Sequence, residues 1–281
     1  MIHTSRQLKA LVRNLSKGDS VKAQTIIRNY VMERFLERLS LSKYRNNMIL
    51  KGGSLVAAIV GLDNRSTMDV DTTLKNLPLS KESAKKIVGE ITAIAIDDGM
   101  SFAITSAVPI MDEADYPGIR IMLETTLETM RTPLKIDFST GDIITPHEVA
   151  YSFKLLFEER TISILAYNLE TIFAEKIETL ISRGTANTRM RDFYDLYVLE
   201  STQSHNIDDT LLKVAFSNTC DKRDSSSLIS TMDLILSEVA YSTDMKGLWE
   251  SYQRKFEYAA YIEWSNIMQT VYRLFAKCVY P

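Results

Sequence analysis

The sequence predicts an α/β fold of the α+β kind: a helical N-terminal segment over residues 1–45, a core with a mixed sheet over 46–165, and an all-helical C-terminal lobe over 166–281. Three features predict it. Residues 48–50 form a short apolar run that breaks at Gly52-Gly53-Ser54, the pattern of a strand, a turn and a helix start. Between residues 101 and 140, runs of strand-forming residues alternate with turn residues. Beyond about residue 166, apolar residues return every three or four positions, which is helical spacing.

Composition bounds the function classes. A chain of 281 residues with 45% hydrophobic and 25% charged residues can bury the core of one large domain or two small ones. A formal charge of −3 argues against a protein that coats nucleic acid, while leaving room for a local basic groove. Cys220 and Cys278 lie far apart, and His3, His147 and His205 have no ligand spacing. With no leader and no apolar run of membrane length, a reducing cytoplasm is the expected compartment.

The elements follow in order. The second part of the N-terminal segment carries Ile27, Tyr30, Val31, Phe35 and Leu39 at helical spacing behind Asp19 or Ser20 as cap; core packing is its expected role. After the glycine turn, residues 55–60 lack a breaker and can begin a helix. A loop over 61–66 leads to a strand over 67–74, where polar and apolar residues alternate. Ser80 caps a third helix, to about residue 96, with Ile87, Ile91 and Ile94 on its buried stripe. Strands are expected over 102–108, 118–127 and 133–139, and Thr145-Pro146 is expected to end the sheet-rich part. Asn168 caps a helix with Leu169, Ile172, Phe173, Ile177, Leu180 and Ile181 as its stripe. A loop over 183–188 precedes another helix near Arg189. Further helices are expected over 208–216, 225–239 and 245–279. Their aromatics, Trp249, Tyr252, Phe256, Tyr261, Trp264 and Tyr272, recur at helical spacing and read as core rather than as base-stacking platforms.

Within this frame some residues carry chemistry. Backbone N–H groups of the Gly52-Gly53-Ser54 turn, at the start of a helix, form an anion site suited to phosphates. Asp69 and Asp71 are i and i+2 on a strand, so their carboxylates share a face and can converge on a hard cation. Asp137 alternates with Lys135 and Ser139 on a later strand and could supply a third carboxylate. Either motif alone is most often a turn or a solvated strand face; their order on strand, turn, helix and strand is more specific, and suggests phosphoryl or nucleotidyl transfer. Lys176 falls inside a core-facing stripe, so its ammonium either snorkels out or meets negative charge. Asp192 and Asp195, i and i+3, share one helix face beside Arg189 and Arg191.

Gly53-Ser54, fourteen residues, then Asp69-x-Asp71 resembles the core motif of the minimal nucleotidyltransferase fold, also called the DNA polymerase β-like fold. With Arg65 ahead of the aspartates, Lys135-Ile136-Asp137, Glu175-Lys176 and Arg191-Asp192-Phe193-Tyr194-Asp195, the ordered set resembles the AbiEii/AbiGii toxin family of abortive-infection toxin–antitoxin systems. The resemblance implies a toxin that binds a nucleoside triphosphate with Mg2+ and transfers nucleotides to RNA, in relatives to the 3′ end of tRNA, stopping translation and phage propagation. It also implies a cognate antitoxin that is a DNA-binding repressor. The expected roles are Asp69, Asp71 and Asp137 as metal ligands, Gly52, Gly53, Ser54 and Arg65 at the phosphates, Lys176 as their counter-charge, and Asp192 or Asp195 orienting the acceptor or the lysine, in a cleft between sheet and lobe. Many relatives have aromatic or acidic residues where this chain has Thr72-Thr73, so the resemblance does not fix the triphosphate. Two alternatives stand beside this reading: modification of a protein hydroxyl, and a non-catalytic binding protein on the same fold.

Overall fold

The computed structural model describes residues 1–67, 69–110 and 118–279. Met68, in the expected strand over 67–74, and the expected turn at 111–117 lie outside the described residues. The described chain forms two compact units.

The first unit comprises residues 1–62, 66–142 and 148–166. It holds a seven-stranded mixed sheet of β1 (Met48–Lys51), β2 (Asp69–Leu74), β3 (Met100–Ile110), β4 (Gly118–Leu127), β5 (Met130–Thr140), β6 (Val149–Lys154) and β7 (Thr161–Ala166), in the order β3-β4-β5-β2-β1-β7-β6. β2 lies antiparallel to β1 and parallel to β5. Strand alternation sorts the faces: Val70, Ile136 and Ile121 are aligned across β2, β5 and β4 and fully buried, while the intervening positions carry charge. The expected mixed α/β architecture is therefore present. One boundary needs correction, because the sheet does not end at Thr145-Pro146; β6 and β7 follow it. Ile162, Ile164 and Ala166 are buried at alternate positions of β7, so the period-two signal is present in the sequence beyond that proline.

Four helices accompany the sheet in this unit: α1 (Ser5–Ser16), α2 (Ser20–Leu41), α3 (Gly52–Val60) and α4 (Lys81–Thr92). Asp19 caps α2 through Val21 and Lys22 N–H, and Ser80 caps α4 through a capping box. α2 packs on β5 and β7, α4 on β3 and β4, and α3 on β1 and β2. From Val31 to Leu39 every residue of α2 is buried, charged ones included. That burial is tolerated because the charges are matched: Arg38 forms a two-bond pair with Asp98 at 2.7 and 2.8 Å, and Arg34 lies 3.0 Å from Glu37 and 3.2 Å from Glu158.

The second unit comprises residues 63–65, 143–147 and 167–281, described here to residue 279. It contains α5 (Leu169–Arg183), α6 (Met190–Gln203), α7 (Asp209–Lys222), α8 (Met232–Tyr241), α9 (Thr243–Lys255) and α10 (Trp264–Val279). As expected, Asn168 caps α5, its side chain accepting from Thr171 N–H at 3.0 Å. The segment read as one helix over 245–279 is two, α9 and α10, separated by a short 3-10 turn at Glu257–Ala259. That break explains a second correction: Tyr261 is 95% exposed in the connection and Tyr272 lies on the outer side of α10 at 36%, whereas Trp249, Tyr252 and Trp264 are buried. Among the described residues no helix is long and apolar enough to cross a membrane.

Candidate active site

The carboxylate face begins where β1 meets α3. The helix starts on the glycines themselves, with Lys51 as its N-cap, rather than after them. Gly52 adopts φ +60°, and a Cβ there would stand 2.5 Å from Asp71 Oδ2, so both the backbone conformation and the space exclude a side chain. Gly53 N–H donates to Asp71 Oδ2 at 3.0 Å. The anion at this helix N-terminus is thus the carboxylate of Asp71, held by the donors expected to face phosphate. Ser54 is fully buried, its hydroxyl donating to Lys51 O at 3.0 Å and accepting from Asp71 N–H at 3.4 Å. The turn therefore positions Asp71.

Register then places four charges in one line across four strands. Lys51 of β1 is opposite Asp71 of β2, Asp71 is opposite Asp137 of β5, and Asp137 is opposite Arg120 of β4. The row reads cation, anion, anion, cation. Arg120 grips Asp137 with two bonds, Nε to Oδ1 at 2.8 Å and Nη2 to Oδ2 at 2.6 Å. Lys51 reaches Asp142 Oδ2 at 2.7 Å, which also accepts from Ser139 Oγ. Asp69 lies one row away beside Lys135, whose ammonium is 3.5 Å from Oδ1; that oxygen is buried and, among the described residues, accepts no hydrogen bond.

The electrostatics follow from this crowding. Burial, with Asp137 and Asp69 close by, pushes the Asp71 carboxyl up from 3.8 to about 6, although Lys51 and the Gly53 N–H oppose the shift. Burial pushes Asp142 up as well, but Lys51 and Ser139 outweigh it and hold its carboxyl below the usual range. Among the described residues no three His, Cys, Asp or Glu side chains stand ready as a metal-binding group. Asp69 and Asp71 nevertheless fit a hard divalent cation, since both are oxygen donors, Asp69 Oδ1 accepts no hydrogen bond among the described residues and meets the Lys135 ammonium only at 3.5 Å, and Asp71 is destabilised by its neighbours. Asp137, expected as the third ligand, has both oxygens on Arg120.

The remaining expected site residues gather in the second unit. Lys176 of α5 donates to Asp192 Oδ1 at 2.6 Å and Asp195 Oδ2 at 2.8 Å on α6. Arg65 Nε donates to Asp195 Oδ1 at 2.6 Å, and Tyr194 OH donates to Asn64 O. Of the two outcomes open to a lysine on the apolar stripe, Lys176 takes the one that meets negative charge, and Asp192 and Asp195 share the helix face their spacing gave. Arg65, expected at phosphate, is fully buried against Asp195. Burial alone would lower the Lys176 ammonium, but Asp192 and Asp195 more than offset it and hold it up. Asp195 is held below the usual carboxylate range by Lys176 and Arg65 against its own burial.

Residues 34–269 match the family model described as nucleotidyl transferase AbiEii toxin, type IV toxin–antitoxin system. The chain belongs to the AbiEii family. It is accordingly a nucleotidyltransferase, and membership in this toxin family implies a nucleoside triphosphate substrate, a divalent metal and an antitoxin partner. The solved JHP933 structure from Helicobacter pylori is similar to this AbiEii chain with a TM-score of 0.50 and 15% identity, over 91% of this chain and 93% of that one. A second H. pylori structure, of a candidate nucleotidyltransferase, gives 0.49 and 16% over 91% and 96%. At such identity the JHP933 likeness speaks to fold alone. A comparison with curated proteins returns no match.

Arg120 and Asp142 were not identified from the sequence. The strand containing Arg120 is legible, but its position opposite Asp137 depends on register, and register is not written in periodicity.

Proposed function

We propose that this AbiEii toxin moves a nucleotide from a triphosphate to an RNA acceptor, the 3′ end of tRNA, with Mg2+ held by Asp69 and Asp71, and thereby blocks translation and phage propagation. The observation that carries this reading is the Asp69–Asp71 pair, with Asp71 locked to the Gly52-Gly53 helix start and one Asp69 oxygen without a hydrogen bond among the described residues. A cation bound there would neutralise triphosphate oxygens and the charge that develops at the transferred phosphorus. Gly53 N–H fixes the Asp71 carboxylate, and Ser54 fixes its backbone. In the transfer, the acceptor hydroxyl oxygen bonds to the α-phosphorus, the bond to the bridging oxygen breaks, and pyrophosphate leaves as the hydroxyl loses its proton. Lys176, Asp192 and Asp195 belong to the proposal as a preassembled cation with its two orienting carboxylates.

The test is incubation with each labelled triphosphate, Mg2+ and total cellular RNA, followed by separation of RNA from protein. Label should enter RNA at tRNA size and be absent with Asp71→Asn. Label on protein instead would support modification of a protein hydroxyl, and no label anywhere would overturn the transferase reading of the site.

A further inference from the structure

We propose that Arg120 is a positioning residue of the transfer site, the resident counter-cation of Asp137, and that a divalent cation at Asp69 and Asp71 gains Asp137 as a ligand only by displacing this guanidinium. The inference rests on the reading of Asp69 and Asp71 as the cation-binding pair.

The geometry supports it at three points. First, Asp71 and Asp137 are directly opposed on parallel strands, so two carboxylates face each other across one ladder position. Like charges so placed repel, and something must compensate them in the cation-free protein. Second, both oxygens of Asp137 are bound by Arg120 at 2.8 and 2.6 Å. A fork with two parallel bonds occupies the lone pairs that a metal would need, so guanidinium and metal make competing claims on the same atoms. Third, the Arg120 side chain is 34% exposed and Asp137 19%. A long arginine stem at the solvent boundary can swing outward with its charge hydrated, unlike the enclosed Arg38–Asp98 pair, whose side chains are 2% and 0% exposed.

The purely structural alternative is a cross-strand ion pair that holds β4 to β5. Such a pair has no need to stand in line with Asp71, and removing it would lower stability without altering affinity for a cation.

The experiment uses the full chain without nucleotide and Mn2+ as probe, with free Mn2+ read by electron paramagnetic resonance. Arg120→Met should bind Mn2+ about tenfold more tightly, the scale on which one nearby charge shifts a carboxylate equilibrium. Arg120→Lys should fall between, and adding Asp137→Asn should erase the gain. Unchanged or weaker Mn2+ binding by a folded Arg120→Met overturns the proposal; if triphosphate affinity falls at the same time, Arg120 is a phosphate ligand. Should Arg120→Met not fold, the wild-type protein answers through NMR. The Arg120 Nε–H donates to Asp137, and its exchange with water should accelerate when Mg2+ is added; an unchanged rate rejects displacement. Failure of the underlying reading looks different, because wild type would then bind Mn2+ no better than Asp71→Asn.

Discussion

Two clusters of charge, one in each unit, answer the same problem in opposite ways. In the second unit Lys176, Arg65, Asp192 and Asp195 form a closed set of two cations and two anions, with Arg65 and Asp195 fully buried. On the sheet of the first unit, Asp69, Asp71 and Asp137 crowd together, one oxygen accepts no hydrogen bond, and Arg120 remains partly exposed. The closed set satisfies itself. With Asp142 counted, the open set has Asp69, Asp71, Asp137 and Asp142 against Lys51, Lys135 and Arg120, and that excess of carboxylate favours a bound cation.

The largest effect that could break this contrast is on the open side. Asp71→Asn should abolish nucleotide transfer in the labelling assay while leaving the melting temperature equal or higher, because it removes a destabilised charge and keeps an oxygen for Gly53 N–H. Retained transfer would mean that the crowded carboxylates are not the reacting centre.

On the closed side stability should fall along with transfer. Lys176→Met leaves Asp192 and Asp195 facing a lost cation, and breaking a buried pair from one side costs about 3–5 kcal/mol. An inward lysine considered alone would give the opposite sign, since its desolvation would be relieved; the two carboxylates reverse it. Denaturant unfolding of Lys176→Met beside Arg120→Met should show the difference, the half-exposed Arg120–Asp137 pair costing about 1 kcal/mol or less. Equal losses would erase the distinction between the clusters.

A smaller effect comes from the glycine turn. Gly52→Ala must take a left-handed conformation, at a cost of about 1–2 kcal/mol, with its Cβ against Asp71. Urea titration measures the loss, and Mn2+ affinity should drop with it as Asp71 is pushed aside. The smallest expected effect is a pH slope. The Asp71 pKa is raised from 3.8 to about 6, so its contribution to stability is complete below the lower value and lost as the pH rises through the upper one. In chelator the melting temperature should therefore fall between about pH 4 and pH 6 and level off above, and Asp71→Asn should flatten that part of the profile.

Much of this was legible in the sequence because it depends on short-range periodicity. Alternation put Asp69 and Asp71 on one face, helical spacing put Lys176 inward, and i, i+3 spacing joined Asp192 to Asp195. What stayed hidden depends on pairing between distant segments. Arg120 becomes a partner of Asp137 only once β4 is in register with β5. That Gly52 admits no side chain depends on Asp71, which lies against it from β2. Arg65 reads as a phosphate ligand from its place ahead of the aspartates, whereas its guanidinium is bonded to Asp195, 130 residues away. Pro146 reads as the end of the sheet, yet Ile162 and Ile164 alternate beyond it, and β6 and β7 form there.

The order in which these pairings can form also matters while the chain is folding. Asp71 and Gly53 are 18 residues apart, and Arg120 and Asp137 are 17 apart within a hairpin. The joint between these halves, seen in the Thr72 hydroxyl bonded to Asp137 O, spans 65 residues. Local contacts close at lower entropic cost than distant ones. Each half can therefore bring its carboxylate to the joint already bonded, Asp71 to the Gly53 N–H and Asp137 to Arg120, so that the two like charges need not meet bare when the sheet is completed.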